Sequence, residues 1–180
     1  MATKPGADCS GAGRVVSLSA PFGTDQLVRL LEHAYDYPTW HGSNLREALA
    51  DVELSQALWQ SSPERHNIWE LVLHCAFWKH VVIRRLEGFN DDGGFSRTPK
   101  DFPALPEATQ SAWENDLGLL EATHRQLMEQ VRAFHGARLN ELIGAGESRT
   151  FAELIFGVAN HDIYHAGQIR LLLRLQGVEA

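Results

Sequence analysis

Cysteine is scarce in this sequence, and long apolar runs are missing. The two cysteines, Cys9 and Cys75, do not form a C-x-x-C pair. This spacing excludes a disulfide framework and a cysteine-based zinc site as organising features. No apolar stretch approaches the roughly 20 residues that a membrane-spanning helix needs, and the N-terminal segment is too polar for a secretion signal. We therefore expect a cytoplasmic protein.

Positive charge is also in short supply. Lysine and arginine number 16 against 23 aspartates and glutamates, which gives a net charge of -7 with histidine neutral. The chain has no basic stripe that could follow a phosphate backbone or an anionic bilayer. We therefore expect a small-molecule substrate of unknown identity, and neither a nucleic-acid nor a membrane partner. Three cations of the second predicted helix are interpreted as a solvated face: Lys79, Arg84 and Arg85.

Several common catalytic motifs are absent as well. The sequence contains no H-E-x-x-H zinc-protease motif, no G-x-S-x-G hydrolase elbow and no G-x-x-x-x-G-K-[ST] phosphate-binding loop. A di-iron bundle would need two E-x-x-H motifs, and Glu121–His124 is the only one. No catalytic acid, base or nucleophile can therefore be assigned from a motif.

Helical periodicity fills most of the remaining chain. Residues 1–20 are rich in glycine, alanine and serine, and we interpret them as a flexible tail ahead of a single domain over residues 21–180. Four segments show apolar residues at helical spacing, and they begin at Thr24 as N-cap, at an Asn67–Glu70 capping box, near Glu107 and at a Thr150–Glu153 capping box. No segment alternates as a strand does. The pattern predicts an all-α four-helix bundle with long connections between helices one and two and between helices two and three.

Two histidines near the C-terminus occupy places where the helical pattern favours leucine. In the stretch HDIYHAGQI, His161 and His165 lie one turn apart on the apolar seam of the last helix. Buried imidazoles must be hydrogen-bonded or bind something, and a divalent metal accepts two imidazoles at this spacing. His74 shares the apolar side of the second helix and is the best candidate for a third ligand. Three imidazoles would leave coordination positions open, as in catalytic zinc sites. The competing interpretation is a cluster of hydrogen-bonded core histidines.

Further residues are candidates for the surroundings of this site: His124, Asp162, Tyr164 and Gln168. His124, on the seam of the third helix, could supply a fourth nitrogen or a proton donor, although such positions more often hold a core histidine. Asp162 points about 100° away from His161 on the helix and could instead orient His74 or cap another helix. Gln168 shares a helix face with the histidine pair and could support one of its rings, whereas Tyr164 is more typical of packing.

Two helical segments resemble the DinB/YfiT-like superfamily: NIWELVLHCAFWKHVVIRRLEG and RTFAELIFGVANHDIYHAGQIRLLLRLQG. WHGSNLREAL and DFPALPEA are similar in kind, so the resemblance extends over essentially residues 24–178. The resemblance implies a four-helix bundle in up-down-down-up order and a metal held by His74, His161 and His165. It also implies a homodimer. Members of the superfamily include thiol-dependent S-transferases and isomerases, and others are described as metal-dependent hydrolases.

These observations lead to two hypotheses about function. The first is a metal-dependent enzyme, either a thiol S-transferase or a hydrolase, because a metal lowers the pKa of a bound thiol or water. Zinc is the first expectation for the metal. Nickel, iron, manganese or copper could bind to the same ligands. A low-molecular-weight thiol could serve as a cofactor. The second is a non-enzymatic, stress-associated bundle with a structural or sensory metal, which would require a closed coordination shell.

Overall fold

The computed structural model describes residues 23–178, and the regular structure in this range is helical. The helices, in chain order, are α1 (Thr24–Tyr35), α2 (Leu45–Leu49), α3 (Leu54–Leu58), α4 (Ile68–Leu86), α5 (Gln110–Ala133) and α6 (Phe151–Leu175), with a 3-10 turn at Gly136–Asn140. The only pairing of β type in this range is an isolated bridge between Leu142 and Thr150. The all-α prediction is therefore confirmed. The predicted flexible tail, with Cys9, lies outside the described residues.

Capping boxes fix where the two histidine-bearing helices begin. At the start of α4, the amide of Glu70 donates to Asn67 Oδ1 at 2.8 Å, and the Glu70 carboxylate accepts from the amide of Asn67 at 2.9 Å. At the start of α6, Thr150 and Glu153 form the same reciprocal pair. Both boxes are as predicted, and each satisfies two amides that the helix itself cannot. The prediction of Thr24 as N-cap is wrong by one residue, because Gly23 is the N-cap and Thr24 begins α1.

The four long helices pack into one body. α4 lies against α5 and α6, and α1 lies against the same two helices. Of the short helices, α2 packs on α6 and α3 packs on α4. The connection over residues 36–67 carries α2 and α3, whereas residues 87–109 contain no regular element. The two long connections therefore fall where the sequence places them, and the up-down-down-up order stays a prediction.

Helix α4 is buried on nearly all sides because α3, α5 and α6 all pack against it. Its buried residues include apolar positions on every face, and they also include His74 and Lys79. A helix in this central position can carry polar groups only if partners on neighbouring helices satisfy them. Among the helices of residues 23–178, none has both the length and the hydropathy needed to cross a bilayer.

Candidate metal centre

Three imidazoles converge where α4 faces α6. His161 Nε2 lies 3.0 Å from His74 Nε2 and 3.1 Å from His165 Nε2. The two α6 residues share one face because they are one helical turn apart, and α4 supplies the third across the helix interface. All three potential ligand atoms lie within 4.8 Å of one another. The structure therefore brings together the three residues that the sequence singles out.

Hydrogen bonds at the far ring nitrogens fix the orientation of two of the three rings. His74 Nδ1 lies 2.8 Å from the carbonyl oxygen of Asp101, which can only accept, so this nitrogen carries a proton. His165 Nδ1 lies 2.6 Å from Gln168 Oε1, and the Gln168 amide nitrogen donates to the Tyr164 hydroxyl at 3.1 Å. Both rings therefore direct the lone pair of Nε2 toward the common centre.

The donor set fits a divalent cation. Two lone pairs already face His161 Nε2, and one N–H at that atom could satisfy only one of them. A tetrahedral ion about 2.0–2.1 Å from each nitrogen would separate the nitrogens by roughly 3.3 Å. The observed separations of 3.0 and 3.1 Å are close to this value. A cation would satisfy all three lone pairs, which the hydrogen bonds within the cluster cannot do.

Burial keeps these imidazoles in the form that binds metal. Burial, with a smaller contribution from the neighbouring imidazoles, lowers the pKa of His161 to about 3 and that of His165 to about 4. Burial also lowers the pKa of His74, although Asp101 opposes the shift. All three rings are therefore neutral at pH 7, and no proton has to be displaced from a ring before a metal binds.

The long connection between α4 and α5 closes one side of the cluster. Asp101 adopts a positive φ of 71°, which directs its carbonyl to His74, while its carboxylate accepts from Trp78 Nε1 at 2.8 Å. Phe102 stacks on His74 with ring centroids 4.1 Å apart and on His66 at 3.6 Å. Sequence reasoning misses Asp101, since its tolerance of a left-handed backbone is only a weak signal for a turn.

The other predicted neighbours divide into two groups. Gln168 contacts His165 directly, and Tyr164, which is 63% exposed, accepts from Gln168 and lies edge-on to the His165 ring with centroids 5.0 Å apart. His124 lies outside the cluster, stacked on Tyr35 with ring centroids 3.7 Å apart. Asp162 makes no hydrogen bond to the three histidines and pairs with a cation of α4 instead. Support of the site by Gln168 and Tyr164 stays a prediction.

A buried ion pair lies beside the cluster, and the sequence reading of its lysine is wrong. Lys79 is predicted to be solvated, yet its side chain is fully buried and donates to Asp162, which is also fully buried. The ammonium lies 5.2 Å from the centre of the Tyr35 ring. Cys75 is buried nearby, and its sulfur, a nitrogen of His161 and an oxygen of Asp162 lie within 4.8 Å of one another. Burial raises the pKa of the Cys75 thiol, so it stays protonated at neutral pH.

The family model described as the DinB superfamily matches residues 39–169. The matched range covers more than half of the chain and contains all three converging histidines. The chain therefore belongs to the DinB superfamily, as the resemblance of its helical segments predicts. No curated protein and no solved structure gives a significant match.

Proposed function

We propose that this protein is a divalent-metal-dependent enzyme of the thiol S-transferase or hydrolase type. The observation that carries the proposal is the convergence of three neutral imidazoles through Nε2. His74, His161 and His165 would hold the metal. Zinc is the first expectation, with nickel, iron, manganese and copper as further candidates. A metal bound there would act as a Lewis acid that lowers the pKa of a water or a low-molecular-weight thiol.

The protein groups around the site would orient the ligands and shape the approach of a small-molecule substrate. The carbonyl of Asp101 and the amide oxygen of Gln168 hold two rings at their far nitrogens. Such contacts fix both the tautomer and the direction of a ligand. Phe102 covers one face of His74, and Trp78 is half-buried beside it. These aromatic rings beside the site would favour a substrate with apolar groups.

The non-enzymatic alternative would need a closed shell, and the geometry does not favour it. His124, the candidate for a fourth nitrogen, stacks on Tyr35 instead of joining the cluster. Cys75 is protonated because burial raises the pKa of its thiol, and the Asp162 carboxylate is engaged by Lys79. With three protein ligands, a tetrahedral ion keeps one position for water or substrate.

Elemental analysis of protein purified without a metal-affinity step tests the site. We expect about one metal per chain in the wild type and in His135→Ala, and loss of the metal in His161→Ala. His135 is the matched control because it is an exposed histidine outside the cluster. If the wild type stayed metal-free even after incubation with zinc or nickel, the enzyme proposal would fail. The three histidines would then form a hydrogen-bonded core cluster.

Turnover assays on the metal-loaded protein separate the two reaction types. Turnover of an alkylating electrophile that depends on added thiol would support the transferase, whereas hydrolysis of an ester without thiol would support the hydrolase. Activity in neither assay, with one metal bound per chain, would point back to a structural or sensory metal. The proposal also includes the up-down-down-up helix order and a homodimer. Light scattering in solution would test the homodimer.

A further inference from the structure

A cavity lies on the face of α6 that points away from the histidine cluster. Its volume is about 500 Å³, and residues from α6 and from the connection after α1 line it, among them His41, Ser43, Ile163, Gly167, Arg170 and Arg174. At about 100° per residue, Arg170 projects roughly 180° around the helix from His161. The cavity is therefore separate from the candidate metal centre, and α6 lies between the two.

The charge of this cavity is opposite to that of the chain. Its lining includes two arginines but no aspartate or glutamate, although the chain carries a net charge of -7. Arg174 interacts with another group, which leaves Arg170 as the cation available to a ligand. Arg170 is half-buried and makes no ion pair or hydrogen bond within residues 23–178. A partly desolvated guanidinium gains most from an anion that accepts its paired N–H groups. The hydroxyl of Ser43 supplies a further donor at the same cavity.

The rest of the lining is apolar and open. Ile163 and Leu171 contribute aliphatic surface, and no atom lies within 4 Å of the position that a Cβ on Gly167 would take. A volume of about 500 Å³ is within the range of small-molecule sites and exceeds the needs of an inorganic anion. Trp40, which is 96% exposed, lies edge-on to the ring of His41, one of the lining residues, with ring centroids 5.8 Å apart.

We propose that this cavity binds a small amphiphilic anion: a carboxylate or phosphate head group on an apolar body. Arg170 pairs with the head group, and Ile163, Gly167 and Leu171 receive the apolar part. The site is a binding function of its own and does not depend on the metal chemistry proposed above. Its location on the outer face of α6 allows a ligand to be bound while the histidine cluster is also occupied.

Calorimetric titration of the full chain with octanoate, octyl phosphate and octanol tests the proposal. We expect at least one of the anions to bind and octanol to bind at least about tenfold more weakly, since hydrogen bonds to charged groups are the stronger ones. Arg170→Gln should weaken anion binding about tenfold or more. Arg125→Gln, which removes an exposed arginine from α5, should bind as the wild type does.

A second pair of variants tests the cavity by volume instead of charge. Gly167→Leu would place a large side chain in the cavity, whereas Gly157→Leu adds the same side chain to α6 outside the cavity. Both glycines have free space around the position of a Cβ. Leucine also favours the helix more than glycine does, so neither variant should unfold the protein. We expect anion binding to be lost in Gly167→Leu and kept in Gly157→Leu.

The relative affinities of octanoate and octyl phosphate would identify the head group. The proposal is overturned if neither anion binds at millimolar concentration, if octanol binds as tightly as the anions, or if each variant behaves like its control. Elemental analysis of Arg170→Gln should give the wild-type metal content. A failure of this proposal is thereby distinguished from a failure of the proposed metal site.

Discussion

Replacing Asp162 with asparagine would leave the ammonium of Lys79 without an anion inside the core. Both side chains are fully buried, and they join α6 to α4. Asparagine keeps the size of aspartate and an oxygen acceptor, so the substitution changes charge and leaves packing nearly as it is. Burial raises the pKa of the Asp162 carboxyl, while the neighbouring ammonium opposes this shift and favours the ionised pair.

The expected cost is large because water cannot replace the lost partner. Removing one member of a buried pair destabilises a protein by about 3–5 kcal/mol. The free energy of unfolding of a whole domain is only about 5–15 kcal/mol, so Asp162→Asn should remove about a fifth of it or more. The double variant Lys79→Met with Asp162→Leu removes both charges and fills the space with apolar groups. It should be within about 2 kcal/mol of the wild type or more stable.

Urea unfolding of the metal-free protein at pH 7, followed by circular dichroism, measures these differences. The exposed pair of Arg132 and Glu32, 3.0 Å apart, provides the control. Glu32→Gln should cost about 1 kcal/mol or less because solvent screens an exposed pair. If Asp162→Asn cost no more than Glu32→Gln, the ion pair would be hydrated in solution and the reasoning would be refuted.

Three further predictions address the site, the pH dependence and the helices. Gln168→Leu should weaken metal binding about 10- to 100-fold relative to Gln168→Glu, because His165 Nδ1 loses its acceptor. Competition with a chelator measures the metal affinity of both variants, and equal affinities would contradict this prediction. Burial, together with the charges of Lys79 and Arg132, lowers the pKa of His124 to about 2. Below pH 6.5 the unfolded chain therefore binds a proton at His124, whereas the folded chain does not. The stability that this difference contributes is lost as the pH falls. Between pH 6 and 4.5, His124→Phe should therefore reduce the loss of unfolding free energy by about 1.4 kcal/mol per pH unit. Urea titrations of metal-free protein at several pH values measure the slopes, and parallel slopes would show that the folded protein also binds the proton. Gly118→Ala, in the interior of α5 with open space around a Cβ, should raise the free energy of unfolding by about 1 kcal/mol; a loss of stability in urea would show that α5 is packed differently there.

The histidine cluster is predictable because each member interrupts an apolar pattern. His161 and His165 continue the seam of α6, and His74 lies on the apolar side of α4. Periodicity alone gives the face of each helix. Both faces must be buried against a neighbouring helix, and the resemblance to the DinB/YfiT-like superfamily implies that the three histidines meet. Helical periodicity likewise predicts the seam of α5, and His124 on that seam is buried.

Lys79 and Asp101 show where such reasoning fails. A lysine enters a core only where an anion can pair with it, and its partner Asp162 lies 83 residues further along the chain. The pattern places Trp78 on the buried stripe and Lys79 outside it, whereas Trp78 is only half-buried and bonds to the connection after α4. Asp101 contacts His74 from 27 residues away, and no periodicity of a helix extends into an irregular segment. Both contacts depend on tertiary structure that a local pattern does not contain.

The ion pair between Lys79 and Asp162 also has a consequence for the alignment of the two helices. Asp162 directly follows His161, and Lys79 lies five residues after His74, so one contact sets how α6 is rotated and how far it slides along α4. If α6 slipped by one residue, an aspartate would stand where an imidazole belongs. Apolar side chains would hold the two helices together without fixing this register, because they can pack acceptably at several relative positions of α4 and α6. We therefore expect the double variant that withstands urea to bind metal less tightly than the wild type, since the pair positions the imidazoles more than it stabilises the fold.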